Sequence, residues 1–190
     1  YVLTGPQGTK TISAVDDQSA KELAALFNAE TASTGVSATA VTIAEISGLQ
    51  FGGNGNAGAN TTISFELNDE AISASNVTAA DYRSIVDAVN AKSASTGVTA
   101  SLKVGVNNIM FLTDADGDDI KFENFDTGVD HDDTQFNLRT VKSDLTSTSV
   151  ASVVINEINS GQGGDYHSAV MSGSVTLTAN STFSITGGAA

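Results

Sequence analysis

The sequence predicts an α+β fold: repeated strand–helix–β-hairpin units, with antiparallel sheets and the helices packed on one sheet face. Two observations carry that prediction. First, residues 19–38 read SAKELAALFNAETASTGVSA and residues 81–100 read DYRSIVDAVNAKSASTGVTA. Aligned, Asn28-Ala29 falls on Asn90-Ala91, and Ala32-Ser33-Thr34-Gly35-Val36 on Ala94-Ser95-Thr96-Gly97-Val98. A looser third copy, VASVVINEINSGQGG, runs from Val150 to Gly164. Second, each helical stretch is followed or preceded by residues that alternate with period two. An internal repeat sets the architecture before any local motif does.

Within the repeats, Ala20, Leu23, Ala24 and Phe27 form one apolar stripe, and Tyr82, Ile85, Val86 and Val89 form the second. Ala151, Val154, Ile155 and Ile158 form a third. This i, i+3, i+4, i+7 spacing is the signature of an amphipathic helix. Ser19 with Glu22 predicts a capping box, and Thr78 with Asp81 a similar start for the second helix. The exits are Gly35, Gly97 and Gly161, since glycine accepts the left-handed conformation at a helix end.

Strands come next. Lys10–Val15 and Thr62–Leu67 read as strands before the first two helices. Val98, Ala100, Leu102 and Val104 share one face of a strand that returns, after Gly105–Asn108, as Ile109-Met110-Phe111-Leu112. The acidic run Asp114–Asp119 reads as an Asp-Gly hairpin turn into Ile120, Phe122 and Phe125. Near the end, Val175 and Leu177 are expected to pair with Phe183 and Ile185 across Ala179–Thr182.

Composition limits what the chain can do. Its 190 residues suit one domain or two small ones, with a core leaning on Ala and Val because Trp is absent and aromatics are 6%. Eight Lys and Arg against 22 Asp and Glu give a net charge of −14, which disfavours nucleic acid and anionic membranes. No apolar run reaches the roughly 18 residues of a membrane helix. There is no cysteine, hence no thiol chemistry. The start at Tyr1 rather than Met, with no visible signal peptide, reads as an excised or processed piece.

Several clusters invite chemistry. Asp114, Asp116, Asp118 and Asp119 supply carboxylates for a hard cation such as calcium, but Gly117 comes too early for an EF-type loop and Phe125 stands where a bidentate Glu belongs. Asp126, Asp130, Asp132 and Asp133 surround His131, in a pattern that also suits a solvated loop. His167 has no partner assignable by sequence. The Gly-rich stretch Gly52–Gly58 lacks the lysine of a phosphate loop. Serines are abundant without a nucleophile elbow. Asn60, Asn76 and Asn180 stand in N-glycosylation triplets, which are frequent in an Asn/Thr-rich chain. No catalytic, cofactor-binding or metal-ligating residue is assigned, and no cofactor is expected.

The residues Asn28-Ala29 with Thr34-Gly35-Val36-Ser37-Ala38, and Asn90-Ala91 with Thr96-Gly97-Val98-Thr99-Ala100, resemble the flagellin hook IN motif of the variable, surface-exposed region of bacterial flagellins. Leu112–Ile120 is similar to the turn that comes after the motif, and Gly173–Ile185 to a segment returning toward the inner domain. The third copy departs, with Gly-Gln-Gly-Gly in place of Thr-Gly-Val. The resemblance implies that residues 1–190 are the outer region of a flagellin, with IN-like units at 8–58 and 60–126 and a degenerate unit at 145–190. An alternative division joins 1–45 and 145–190 as an inner domain around an outer 46–144.

The function that the resemblance implies is a non-enzymatic, extracellular structural part of the bacterial flagellum. Such a part meets other flagellin subunits mainly through inner domains absent here, and is exposed to host or antibody contacts and to O-linked sugars. The piece alone is expected to be monomeric and not to polymerise, with both termini at one end. The readings weighed against it are a filament-cap piece and a calcium-dependent secreted adhesin module.

Overall fold

The computed structural model describes residues 1–52, 61–128, 134–145, 152–157 and 166–187. The chain runs through β1 (Val2–Gly5), β2 (Gly8–Thr11), α1 (Ala20–Ala29), α2 (Thr31–Thr34), β3 (Val36–Gln50), β4 (Thr61–Leu67) and β5 (Glu70–Val77). It continues through α3 (Arg83–Ala91), α4 (Ser93–Thr96), β6 (Val98–Leu102), β7 (Ile109–Asp114), β8 (Ile120–Asp126) and β9 (Gln135–Thr140). It ends with β10 (Val153–Asn156), β11 (Ala169–Met171), β12 (Ser174–Ala179) and β13 (Ser184–Thr186). Two compact units result. One comprises Tyr1–Thr42, Ala115–Asp119 and Ser172–Ala190; the other comprises Ile43–Asp114 and Ile120–Met171.

In the first unit, the β1–β2 hairpin is extended by β13 into an antiparallel sheet of order β13-β1-β2, with Val2 opposite Thr186. The first and last described strands are thus direct neighbours. β12 pairs antiparallel with the start of β3, Val36 facing Ala179 and Ala38 facing Leu177. The core gathers Leu3, Ile12, Ala24, Phe27, Val36 and Ala38, with Leu23, Val175 and Leu177 packed against it. α1 starts at the predicted capping box: Glu22 N–H donates to Ser19 Oγ at 3.3 Å and Ser19 N–H to Glu22 Oε2 at 3.1 Å. Its stripe of Ala20, Ala24 and Phe27 is buried.

The second unit sets a four-stranded sheet, order β11-β8-β4-β5, against strands of the longer sheet β10-β9-β3-β7-β6. One apolar cluster draws on both, from Ile63, Phe65 and Phe122 to Ile46, Leu112 and Leu138. Aromatic rings join the layers. Phe65 stacks on Phe122 at 4.7 Å, while Phe136 from β9 meets Phe122 and Phe125 edge-on at 5.2 and 4.8 Å. α3 lies against β5 and β6, the edge strands of the two sheets, and buries Ile85 and Val89. Just before it, Tyr82 is fully buried, and its hydroxyl accepts the Leu49 N–H at 2.8 Å.

The predicted fold class is overturned. Among the described residues 51% are in strands and bridges and 17% in helix, so the protein is mostly β, with three antiparallel sheets and four short helices. The third repeat shows why. The spacing of Ala151, Val154, Ile155 and Ile158 predicts a helix, but Val153, Val154 and Ile155 form β10, with Ile155 opposite Phe136 of β9. Three consecutive β-branched residues lose side-chain freedom in a helix and fit a pleated sheet, and the ladder to β9 decides the outcome. Ala151, Ile158 and Gly161 of that stretch lie outside the described residues.

Other local expectations also change. β12 and β13 do not form a hairpin; β12 joins β3 and β13 joins β1. The run Asp114–Asp119 is not a hairpin turn, since β7 and β8 belong to different sheets. Thr78 does not box the second helix. It forms an isolated bridge with Asp81, whose carboxylate instead accepts from the Arg83 N–H at 3.1 Å. That carboxylate titrates below its ordinary range, chiefly through its side-chain hydrogen bond with Arg83.

Residues 115–119 are held in the first unit by a close approach. Gly117 has φ +85, Lys21 N–H donates to its carbonyl at 2.9 Å, and a Cβ there would lie 2.4 Å from Ala40 Cβ. Gly117→Ala therefore meets both left-handed strain and a clash. A loss of about 3 kcal/mol in thermal or denaturant unfolding is expected; an unchanged Tm would contradict the packing described.

Candidate functional site

The two strong repeats build the same frame of polar groups twice. In the first unit, Ala38 N–H donates to Asn28 Oδ1 at 2.8 Å and Asn28 Nδ2 donates to Ala38 O at 2.9 Å. In the second, Ala100 N–H donates to Asn90 Oδ1 at 2.8 Å and Asn90 Nδ2 to Ala100 O at 3.0 Å. The carboxamide takes the place of a neighbouring strand, bonding both backbone groups of one strand residue. Each helix end is thereby tied to the strand after it.

Threonine completes the frame. Thr34 Oγ1 donates to Glu30 O at 2.9 Å and accepts from Val36 N–H at 3.2 Å. Thr96 Oγ1 donates to Lys92 O at 3.2 Å and accepts from Val98 N–H at 3.1 Å. Both threonines are buried. α2 and α4 then close on Gly35 and Gly97, at φ 74 and 75, where a side chain would be strained. Even the preceding hairpin docks alike. Gln7 N–H, in the β1–β2 turn, donates to Thr34 O at 3.2 Å, and Asn68 Nδ2, in the β4–β5 turn, to Thr96 O at 2.8 Å.

Sequence reasoning finds the helices and their glycine exits but gives Asn28, Asn90, Thr34 and Thr96 no task, and it misses Gln7 and Asn68. The available signal is the repetition itself: Asn and Thr recur while the helix faces around them vary.

The residues weighed for chemistry are scattered. Asp116 and Asp118 face Lys21, at 3.5 and 2.7 Å. The hydrogen bond to Asp118 is the largest influence raising the Lys21 ammonium above its ordinary range. Asp114 is buried on β7, and Asp119 is half-buried. Asp126 accepts from Gly128 N–H at 2.8 Å, whereas Asp130, His131, Asp132 and Asp133 lie outside the described residues. His167 Nδ1 sits 3.1 Å from Asn156 O. Among the described residues no group of three or more His, Asp and Glu is arranged to hold a metal ion. Of the Gly-rich stretch only Gly52 is described. Asn76 and Asn180 are exposed, and Asn60 falls outside.

Cavities offer little. In the second unit a gap of about 10 Å³ lies among Ile46, Phe65, Tyr82, Phe122 and Phe136, too small for a substrate. In the first unit an open groove of about 390 Å³ runs past Gln7, Thr31, Ser37, Thr178 and Asn180, without a titratable group.

No family model matches the chain, and no curated protein matches it. Among solved structures, the D2–D3 domains of the flagellar cap protein FliD from Escherichia coli overlay on 77% of this chain and 96% of that one. The identity is 12% and the TM-score 0.26, an overlap too slight to carry an argument.

Replacing Asn28 or Asn90 by Ala removes two partly buried hydrogen bonds and strands the backbone groups they served. Each change is expected to cost about 1–3 kcal/mol, read as a lower denaturation midpoint with the helical signal retained. Millimolar calcium is expected to leave Tm unchanged; a saturable rise would assign the Asp114–Asp119 run to the ion.

Proposed function

We propose that this chain is a structural part of the bacterial flagellar filament: a solvent-facing region of a flagellin that performs no catalysis. One observation carries the reading. The letters that resemble the flagellin hook IN motif, Asn-Ala and then Thr-Gly-Val-x-Ala, are the residues that tie helix to strand in both units. The resemblance thus lies in the groups that make the architecture, and both copies use those groups on their own backbone.

Two further features support it. β1 and β13 are paired neighbours, so the chain enters and leaves the first unit side by side, as a module carried on another body requires. The net charge of −14 suits an exposed, densely arrayed surface, because like charges oppose clumping between filaments.

Antibodies raised against the purified chain, used for immunogold electron microscopy of cells that express it, test the reading. Gold along the whole filament is the expected result. Gold confined to the tip would transfer the chain to the cap, and gold absent from flagella would remove the proposal.

A further inference from the structure

We infer that the first unit opens while the second stays folded, but does not stand once the second is lost, and that Ala115–Asp119 is the strap that shuts it. Chain order is the first observation. The first unit is made of three pieces, Tyr1–Thr42, Ala115–Asp119 and Ser172–Ala190, and the residues between them, Ile43–Asp114 and Ile120–Met171, are the second unit. With the second unit unfolded, closing the first would turn both intervening stretches into long open loops, at an entropy cost that grows with their length. A folded second unit has already met that cost. Within it β11 pairs with β8 so that Met171 stands opposite Ile120. The end of the strap and the stretch leading to β12 therefore leave it side by side.

The dependence does not run the other way. The core of the second unit holds twenty-three buried apolar residues, all between Ala44 and Met171 and none of them in the strap. Loss of the first unit leaves its two pieces joined by the five residues 115–119, the length of an ordinary connection between strands. The core of the first unit holds six, namely Leu3, Ile12, Ala24, Phe27, Val36 and Ala38. Stability is uneven within a chain, and the part with fewer buried apolar groups opens at the lower free energy. The first unit is that part.

The strap fastens the first unit at two elements. Lys21 N–H, in the first turn of α1, donates to Gly117 O at 2.9 Å, and Gly117 lies so close to Ala40 of β3 that a Cβ there would come within 2.4 Å. Lys21 Nζ also reaches Asp118 at 2.7 Å and Asp116 at 3.5 Å. These ion pairs are half exposed or more, so solvent screens them, and the backbone bond with the Gly117–Ala40 contact does most of the holding. α1 and the start of β3 are the same two elements that the Asn28 frame joins. When strap and frame let go, β1, α1 and β12 lose their common core, while the interlocked rings of Phe65, Phe122, Phe125 and Phe136 keep theirs.

Amide hydrogen exchange of the full chain under native conditions, read on the slowest amides of each unit, tests this without depending on the flagellar reading. Asn28→Ala and Asn90→Ala remove the same two hydrogen bonds from the two units, so they form a matched pair. If the second unit unfolds only after the first has opened, its exchange passes through both steps. Asn28→Ala should therefore speed exchange in both units by the same factor, about fivefold or more. Asn90→Ala should speed the second unit alone and leave the first at its original rate. Variants that each act only on their own unit would mean independent bodies, and variants that both act on both units alike would mean one concerted unfolding. Either result overturns the inference. Should an Asn variant fail to fold, Gly117→Ala in place of Asn28→Ala, or Phe65→Leu in place of Asn90→Ala, supplies the same contrast.

Discussion

A carboxamide lying across one strand residue is the contact on which the rest of this molecule depends. In each unit the end of a short helix must meet a strand whose near edge, among the described residues, has no strand beside it. Asn28 and Asn90 resolve this by bonding the N–H and C=O of Ala38 and Ala100. Without such a partner those groups would stand open beside a helix, where water competes poorly and an unmet hydrogen bond is costly. Thr34 and Thr96 extend the same solution one residue pair upstream. Their hydroxyls bond the helix end on one side and Val36 or Val98 on the other.

Once the helix end is fixed, the core is set as well. The stripe of α1 meets Leu3, Val36 and Ala38, and the stripe of α3 meets Ile72, Val98 and Ala100, in two separate apolar clusters. The second is the richer. Phe65, Phe122, Phe125 and Phe136 interlock there, and Tyr82 anchors the β3 backbone through Leu49. The first leans on small side chains and on a tight contact between Gly117 and Ala40. Polar groups in both units are engaged in holding backbone, and of the described carboxylates that invite a metal reading Asp116 and Asp118 face Lys21 and Asp126 its own turn.

The two frames are alike, but their surroundings are not. β7 is hemmed by β6 and β3, while among the described residues β12 pairs with one strand, β3. A duplicated module placed in different company thus acquires a different surface. The difference lies wholly in which distant strand happens to return beside it.

The amphipathic helices, the capping box at Ser19, the glycine exits and the β6–β7 hairpin were legible from residues near one another in the chain. Their causes are local: apolar spacing, a side chain reaching its own backbone, a backbone angle open to glycine. The balance of strand over helix was not legible, nor were β12 against β3, β13 against β1, or β10 in place of a third helix. Those depend on partners far along the chain. Val154 and Ile155 belong to a helical spacing and, with Val153, to a strand composition, and the ladder to β9 settles it. The task of Asn28 and Asn90 was hidden for the same reason. An asparagine at a helix end is ordinary in sequence, and it becomes a clamp only when tertiary folding brings an open strand edge within hydrogen-bonding reach.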